Sequence, residues 1–192
     1  MQDHEIHPWL TRMIQGDSEA FHRIYESTKD DVYRMLYLLL NNREDAGDVM
    51  SEVYLNLHQS LPSYNFKQPF QYWLNGLVIR QANNWKRKVW RKIRLYNRAK
   101  MYAVESVGVT SEEYYLTCEQ RAEMISLVNK LPYKLREVIV LRHFRDCSLE
   151  DIAGILGIPL GTVKSRHHSA IHKLRLLTGH EIVHKEASLH AD

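Results

Sequence analysis

Apolar residues recur at helical spacing along most of this chain. In "GDSEAFHRIYESTKDDVYRMLYLLL" the positions of Phe21, Ile24, Tyr25, Val32, Met35, Leu36 and Leu39 predict two helices, with Asp17 or Ser18 as the opening cap and a break near Ser27 to Asp30. "NNREDAGDVMSEVYLNLHQSL" predicts the next helix. Its Val49, Val53, Leu57 and Leu61 point inward, its Asp45, Asp48 and Glu52 point outward, and Pro62 ends it. A loop, "PSYNFKQP", leads into a long helix opening near Phe70, amphipathic at first and then strongly basic, which Gly76 weakens without breaking. Between Met101 and Thr117 the residues are small, acidic or β-branched and follow no sustained period, which marks a linker. The helical pattern resumes at Glu119, and Pro132 opens a further helix, "YKLREVIVLRHF". The tail "TGHEIVHKEASLHAD" reads as short, polar and prone to fray. The expectation is an all-α fold: helical domains over 1–100 and 119–178, a flexible linker over 101–118, and a polar tail over 179–192.

The sharpest local pattern is "SLEDIAGILGIPLGTVKSRHHSAIHKLR", two helices around a turn. Ser148 is placed to cap Leu149 to Leu156, with Asp151 completing a capping box, and Gly157 supplies the left-handed residue that ends the helix. Pro159 opens a second helix. Its Val163, Ala170, Ile171 and Leu174 form a buried stripe, leaving Lys164, Ser165, His168, Ser169 and His172 on other faces. This is either a DNA-reading helix-turn-helix or a helical hairpin that makes protein contacts.

Charge sharpens the picture. Residues 1–64 hold eleven acids against five Lys/Arg, a local charge of −6, whereas residues 65–101 hold ten Lys/Arg and no acid. The basic block suits a polyanion and the acidic half a cationic protein partner. With 44% apolar and 26% charged residues, eight Gly and five Pro, the composition is that of an ordered globular protein. Cys118 and Cys147 show no CxxC spacing, the N-terminal residues carry no basic segment followed by an apolar run, and "MLYLLL" is too short to cross a bilayer, so a cytoplasmic location is expected. His168 and His172 lie one helical turn apart, but no third ligand stands in register with them. No nucleophile triad, Gly-rich phosphate loop or paired-carboxylate site can be assembled. The reading is a protein that is not an enzyme and takes no cofactor.

At this level the chain resembles a known family. "LPYKLREVIVLRHFRDCSLEDIAGILGIPLGTVKSRHHSAIHKLR" is similar to the C-terminal promoter-reading domain of extracytoplasmic-function (ECF) sigma factors of bacterial RNA polymerase. "GDSEAF", "EDAGDVMSEVYLNLH" and "F..WL" before a basic run extend the likeness, in order, over nearly the whole chain.

The resemblance implies an N-terminal domain like sigma region 2 and a C-terminal domain like region 4. It implies that Asp45, Asp48, Val49, Glu52 and Val53 meet core polymerase. Tyr64, Asn65, Phe66, Lys67 and Gln68 fall where the family reads and melts the minus-10 element, with Arg80, Asn84, Lys86, Arg87 and Lys88 on the helix that follows; Arg91 and Lys92 continue the phosphate-holding series. Trp73 and Leu74 match the family's "WL" and are expected to pack in the core; Trp85 and Trp90 are expected to pack or to stack on bases. Thr162, Lys164, Ser165, Arg166, His168, Ser169 and Lys173 fall on the minus-35 reading helix. The chain departs from the family at "IRQANN", where members carry "RN" and an Asp, and at His167, where an apolar residue is usual after "KSR". Implied partners are core RNA polymerase, promoter DNA and an anti-sigma factor, with no small-molecule substrate. A stand-alone helix-turn-helix regulator is the rival reading; it leaves the acidic helix and the "YNFKQPF" loop without a role.

Overall fold

In the computed structural model, which describes residues 3–99 and 119–189, every regular element is a helix. The chain divides into two compact units, 1–115 and 116–192. The predicted linker, 101–118, lies outside the described residues, as does Cys118.

The first unit contains α1 (Asp3–Ile14), α2 (Ser18–Leu40), α3 (Arg43–Ser60), a 3-10 turn (Leu61–Ser63) and α4 (Phe70–Ala99). Its core is built from Leu10, Ile24, Met35, Leu36, Leu39, Val49, Val53, Leu57, Phe70 and Leu74, each at most 2% exposed. The α2–α3 connection needs only Asn41 and Asn42: Asn41 takes a left-handed φ of 56° to close α2, and Asn42 accepts the Asp45 N–H at 3.0 Å to open α3.

Three elements differ from the sequence reading. The expected break near Ser27 to Asp30 is absent, because α2 is one continuous helix. Its hydroxyls turn inward to the helix rather than competing with it: Ser27 Oγ and Thr28 Oγ1 both donate to the Ile24 carbonyl, at 2.9 and 2.7 Å. The N-terminal residues form α1, whose Ile6, Leu10 and Met13 are buried at helical spacing; Pro8 inside the helix removes a backbone donor and hides the pattern. Finally, the last helix runs through most of what reads as a polar tail, ending at Leu189. A single glycine at Gly179 costs about 1 kcal/mol in a helix and does not terminate one flanked by helix-forming residues.

The second unit contains α5 (Glu119–Asn129), α6 (Tyr133–Phe144), α7 (Leu149–Leu156) and α8 (Leu160–Leu189). Val138, Ile139, Val140 and Leu141 of α6, Ile152 of α7, and Val163 and Ala170 of α8 make its core. Arg136 fastens α6 to the end of α5 by donating to the carbonyls of Asn129 and Leu131. The capping box forms as expected: Ser148 Oγ accepts the Asp151 N–H at 3.0 Å, and Asp151 accepts the Ser148 N–H at 2.9 Å. Gly157, at φ 62°, turns the chain from α7 into α8.

Candidate nucleic-acid and partner interfaces

Helix α3 shows two different flanks. Asp48 and Glu52 are exposed and Asp45 is half-buried, so an acidic stripe faces out. Val49 and Val53 are 1% and 0% exposed and anchor the stripe to the core. On the other flank, Met50, Tyr54 and Leu55 join Met13, Phe21 and Tyr25 around an apolar groove of about 890 Å³. Leu55 is 59% exposed there. Tyr54 is held by a 2.8 Å hydrogen bond between its hydroxyl and Thr28 Oγ1, and burial pushes its phenol up to about 12.

The loop between the 3-10 turn and α4 is organised around aromatic rings. Tyr64 is 4% exposed, contacts Phe66, Phe70 and Trp73 at centroid distances of 4.8, 6.1 and 5.1 Å, and donates its hydroxyl to the Gln68 carbonyl. It therefore forms the loop's floor. Asn65 Oδ1 accepts the Lys67 N–H at 3.1 Å, an Asx turn that leaves the Asn65 amide and the Lys67 ammonium outward. Phe66 stands at φ 56° and is 37% exposed. His7 of α1 meets it edge-on, with centroids 5.2 Å apart and rings at 89°. Sequence reasoning missed His7; its signal was a place on the apolar side of α1, one residue after Ile6.

Helix α4 is two helices in function. From Phe70 to Ala82 it packs, with Leu74, Leu77, Val78, Ile79 and Ala82 buried and Trp73 half-buried against Tyr64. After Ala82 the burial stops. Asn84, Arg87, Lys88, Trp90, Arg91 and Lys92 are exposed, as is Arg80 earlier, while Lys86 is half-buried. Arg87 Nη2 donates to Asn84 Oδ1 at 2.8 Å, and the Lys88 ammonium sits 5.4 Å over the half-buried Trp85 ring. Trp90 is 65% exposed, so it stands among cations as an open aromatic surface rather than as core packing.

In the second unit Val163, Ala170 and Leu174 turn toward the core, and Lys164, Ser165, His168, Ser169, His172 and Lys173 are exposed. Thr162 and Arg166 are half-buried at the flank, and Ser165 Oγ donates to the Thr162 carbonyl at 3.0 Å. His167 points away from this face. Its Nε2 lies 3.1 Å from His143 Nε2 on α6. The ring centroids are 5.4 Å apart and the planes differ by 19°, so the rings meet tip to tip in a hydrogen bond that ties the outer helix to α6. Burial, aided by the nearby Arg142 guanidinium, holds both imidazoles below the ordinary histidine value, and each is further constrained by its neighbours: Asp146 opposes the shift at His143, whereas His143 and His168 add to it at His167.

Among the described residues no helix is long and apolar enough to cross a membrane, and no three His, Cys, Asp or Glu side chains are grouped to hold a metal.

Comparison with known proteins places this geometry. Residues 24–92 match the family model "Sigma-70 region 2", and residues 127–176 match "Sigma-70, region 4". The chain is 31% identical over 175 residues to the ECF RNA polymerase sigma factor SigW of Bacillus subtilis, covering 86% of this chain and 92% of that one. It is 28% identical over 148 residues to the RNA polymerase sigma factor SigV of the same organism, covering 77% and 84%. Two solved structures share the fold: CnrH in complex with the cytosolic domain of CnrY (TM-score 0.63, 20% identity, 89% of this chain and 95% of that one), and the sigma factor RpoE in complex with the anti-sigma factor NepR from Bartonella quintana (TM-score 0.66, 22% identity, 83% and 96%). With an acidic helix and a basic aromatic helix in one unit, a capped helix-turn-helix in the other, and a relative this similar over nearly its full length, the chain belongs to the ECF sigma factors of RNA polymerase.

Proposed function

We propose that this protein joins core RNA polymerase through the acidic stripe of α3, opens the minus-10 element with the loop 64–68 and the outer half of α4, and reads the minus-35 element with α8. The observation that carries the reading is the change in α4 at Ala82, where a helix that starts packed beside an aromatic loop becomes an exposed one bearing Arg87, Lys88, Arg91 and Lys92. Cations hold phosphates and open rings hold unpaired bases, which is the chemistry that single-stranded DNA requires.

Asp45, Asp48 and Glu52 offer the charge complement of a cationic protein surface. On α8 the outward Lys164, Ser165, His168, Ser169 and Lys173 supply donors and acceptors to base edges and phosphates, with Thr162 and Arg166 at the groove margin. Catalysis is left to the polymerase, and the protein acts in the compartment where the polymerase lies. An anti-sigma partner fits the apolar groove around Met13, Phe21, Tyr25, Tyr54 and Leu55, and the RpoE relative was solved with such a partner.

Run-off transcription with purified bacterial core polymerase on a promoter library tests this. Specific initiation that depends on the protein is expected, and the selected templates give the promoter sequence. Core polymerase that gains nothing, while the protein alone shifts duplex DNA, would replace this account with a stand-alone regulator.

A further inference from the structure

Two unfavourable features meet at the tip of the loop. Phe66 is a non-glycine residue in the left-handed region, at φ 56°, a conformation that is costly for an aromatic side chain and needs support from its surroundings. The residue is 37% exposed, so burial offsets only part of that cost. The ring packs on His7, whose Nε2 is buried and makes no hydrogen bond. An imidazole nitrogen without a partner destabilises a protein; a phenylalanine at position 7 would fill the same space between Phe66 and Tyr64 without that penalty.

The rings around His7 are not equally free to move. Tyr64 is buried, and its hydroxyl is committed to the Gln68 carbonyl. Phe66 is exposed and strained. Rotation of Phe66 out of the left-handed region therefore relieves the strain, and a polar group entering in its place relieves His7. One event settles both.

We propose that Phe66 is a lid over His7, and that His7 Nε2 is a specificity contact for an unpaired promoter base. The proposal rests on the reading of loop 64–68 as the single-strand contact and adds to it a residue from α1, outside the span 24–92 that matches the region 2 model. As the lid moves, the polar edge of an extruded base takes the place of the Phe66 ring and pairs with Nε2. Either tautomer of a neutral imidazole suits this, since base edges carry both donors and acceptors.

The test uses holoenzyme assembled from bacterial core polymerase and the full chain, bound to fork-junction DNA. At each unpaired non-template position of the selected minus-10 element, the four bases and an abasic site are compared. For wild type, one position should discriminate best from worst base by about tenfold or more, as one good hydrogen bond provides. His7→Phe keeps a ring against Phe66 and Tyr64 and removes the nitrogen. It should assemble with core polymerase as wild type does and lose that tenfold preference while still binding the fork. If His7→Phe ranks the bases as wild type does, the nitrogen is only packed, and the inference falls with the loop reading intact. If wild type itself treats all bases and the abasic site alike at every position, the loop reads no base; the proposed role of the loop then falls and takes the inference with it.

Discussion

Asp17 shows how much one side chain does at the entry to α2. Its Oδ1 accepts the N–H groups of Glu19 and Ala20 at 2.9 and 3.2 Å, and its Oδ2 accepts Arg12 Nε at 2.7 Å, so the same carboxylate caps α2 and ties α1 to it. The Arg12 hydrogen bond first, and the Ala20 N–H after it, hold this carboxyl below the ordinary aspartate range. A carboxyl whose folded pKa is depressed contributes stability that is present above its unfolded value, near 4, and lost as pH falls through the folded value. Asp17→Ala is therefore expected to lower Tm at pH 7 more than Asp17→Asn, which keeps the cap but loses the charge. The gap between wild type and Asp17→Asn should close in thermal melts taken at successively more acid pH; a gap that stays constant would remove the Arg12 pair from the explanation. Tyr54 makes a parallel case inside the unit. Its hydroxyl meets Thr28 Oγ1 across α2 and α3, and Thr28 also keeps its own helix carbonyl. Tyr54→Phe should cost about 1 kcal/mol in urea unfolding, since Thr28 keeps its hydrogen bond to the Ile24 carbonyl.

The helix-turn-helix is held by a link between α6 and α8 as well as by its own turn. His143 and His167 share one hydrogen bond, in which one Nε2 donates and the other accepts. Both imidazoles titrate below the ordinary value, so the folded state favours the neutral pair. The unfolded chain takes up protons first as pH drops past about 6.5, and stability present above that value declines until the folded pKa is passed. His167→Leu, which restores an apolar side chain, is expected to flatten this dependence of Tm on pH between 7.5 and 5. A slope equal to that of wild type would mean that other histidines carry it. Legibility in the sequence differed among these elements for physical reasons. The α7 cap and the Gly157 turn were readable because both are local chemistry, decided within four residues. The continuity of α2 was not: Thr28 looks like a helix breaker until Tyr54, 26 residues away, is placed beside it. The His143–His167 contact spans 24 residues and joins two helices, so the sequence could mark His167 as unusual without naming what it meets. Val49 and Val53 were readable in another way: their period showed that they face inward, and burial agrees with that period.

The two poles of charge along the chain become two surfaces, for which different partners are proposed. The acidic stripe lies on α3 and the cations lie on the outer half of α4, within one unit, so a loss of binding has to be assigned to the correct pole. Salt dependence does this. Each phosphate neutralised by Lys or Arg releases condensed counterions, so the logarithm of affinity falls with the logarithm of salt by about 0.7 to 0.9 per contact. Replacing Lys86, Arg87 and Lys88 by Ala removes up to three such contacts. Alanine is the best helix former, and the outer half of α4 contributes little to the core, so the fold should hold. Holoenzyme carrying this triple variant is expected to bind promoter DNA more weakly, with a salt slope shallower by about 2 to 3. Its affinity for core polymerase should be unchanged. Asp48→Lys with Glu52→Lys should do the reverse, weakening assembly with core polymerase while leaving the salt slope of the holoenzyme that does form. A triple variant that loses core binding and keeps its slope would mean that the basic helix faces protein and shares docking with the acidic stripe, and the aromatic loop would have no phosphate-holding helix to keep a melted strand in place.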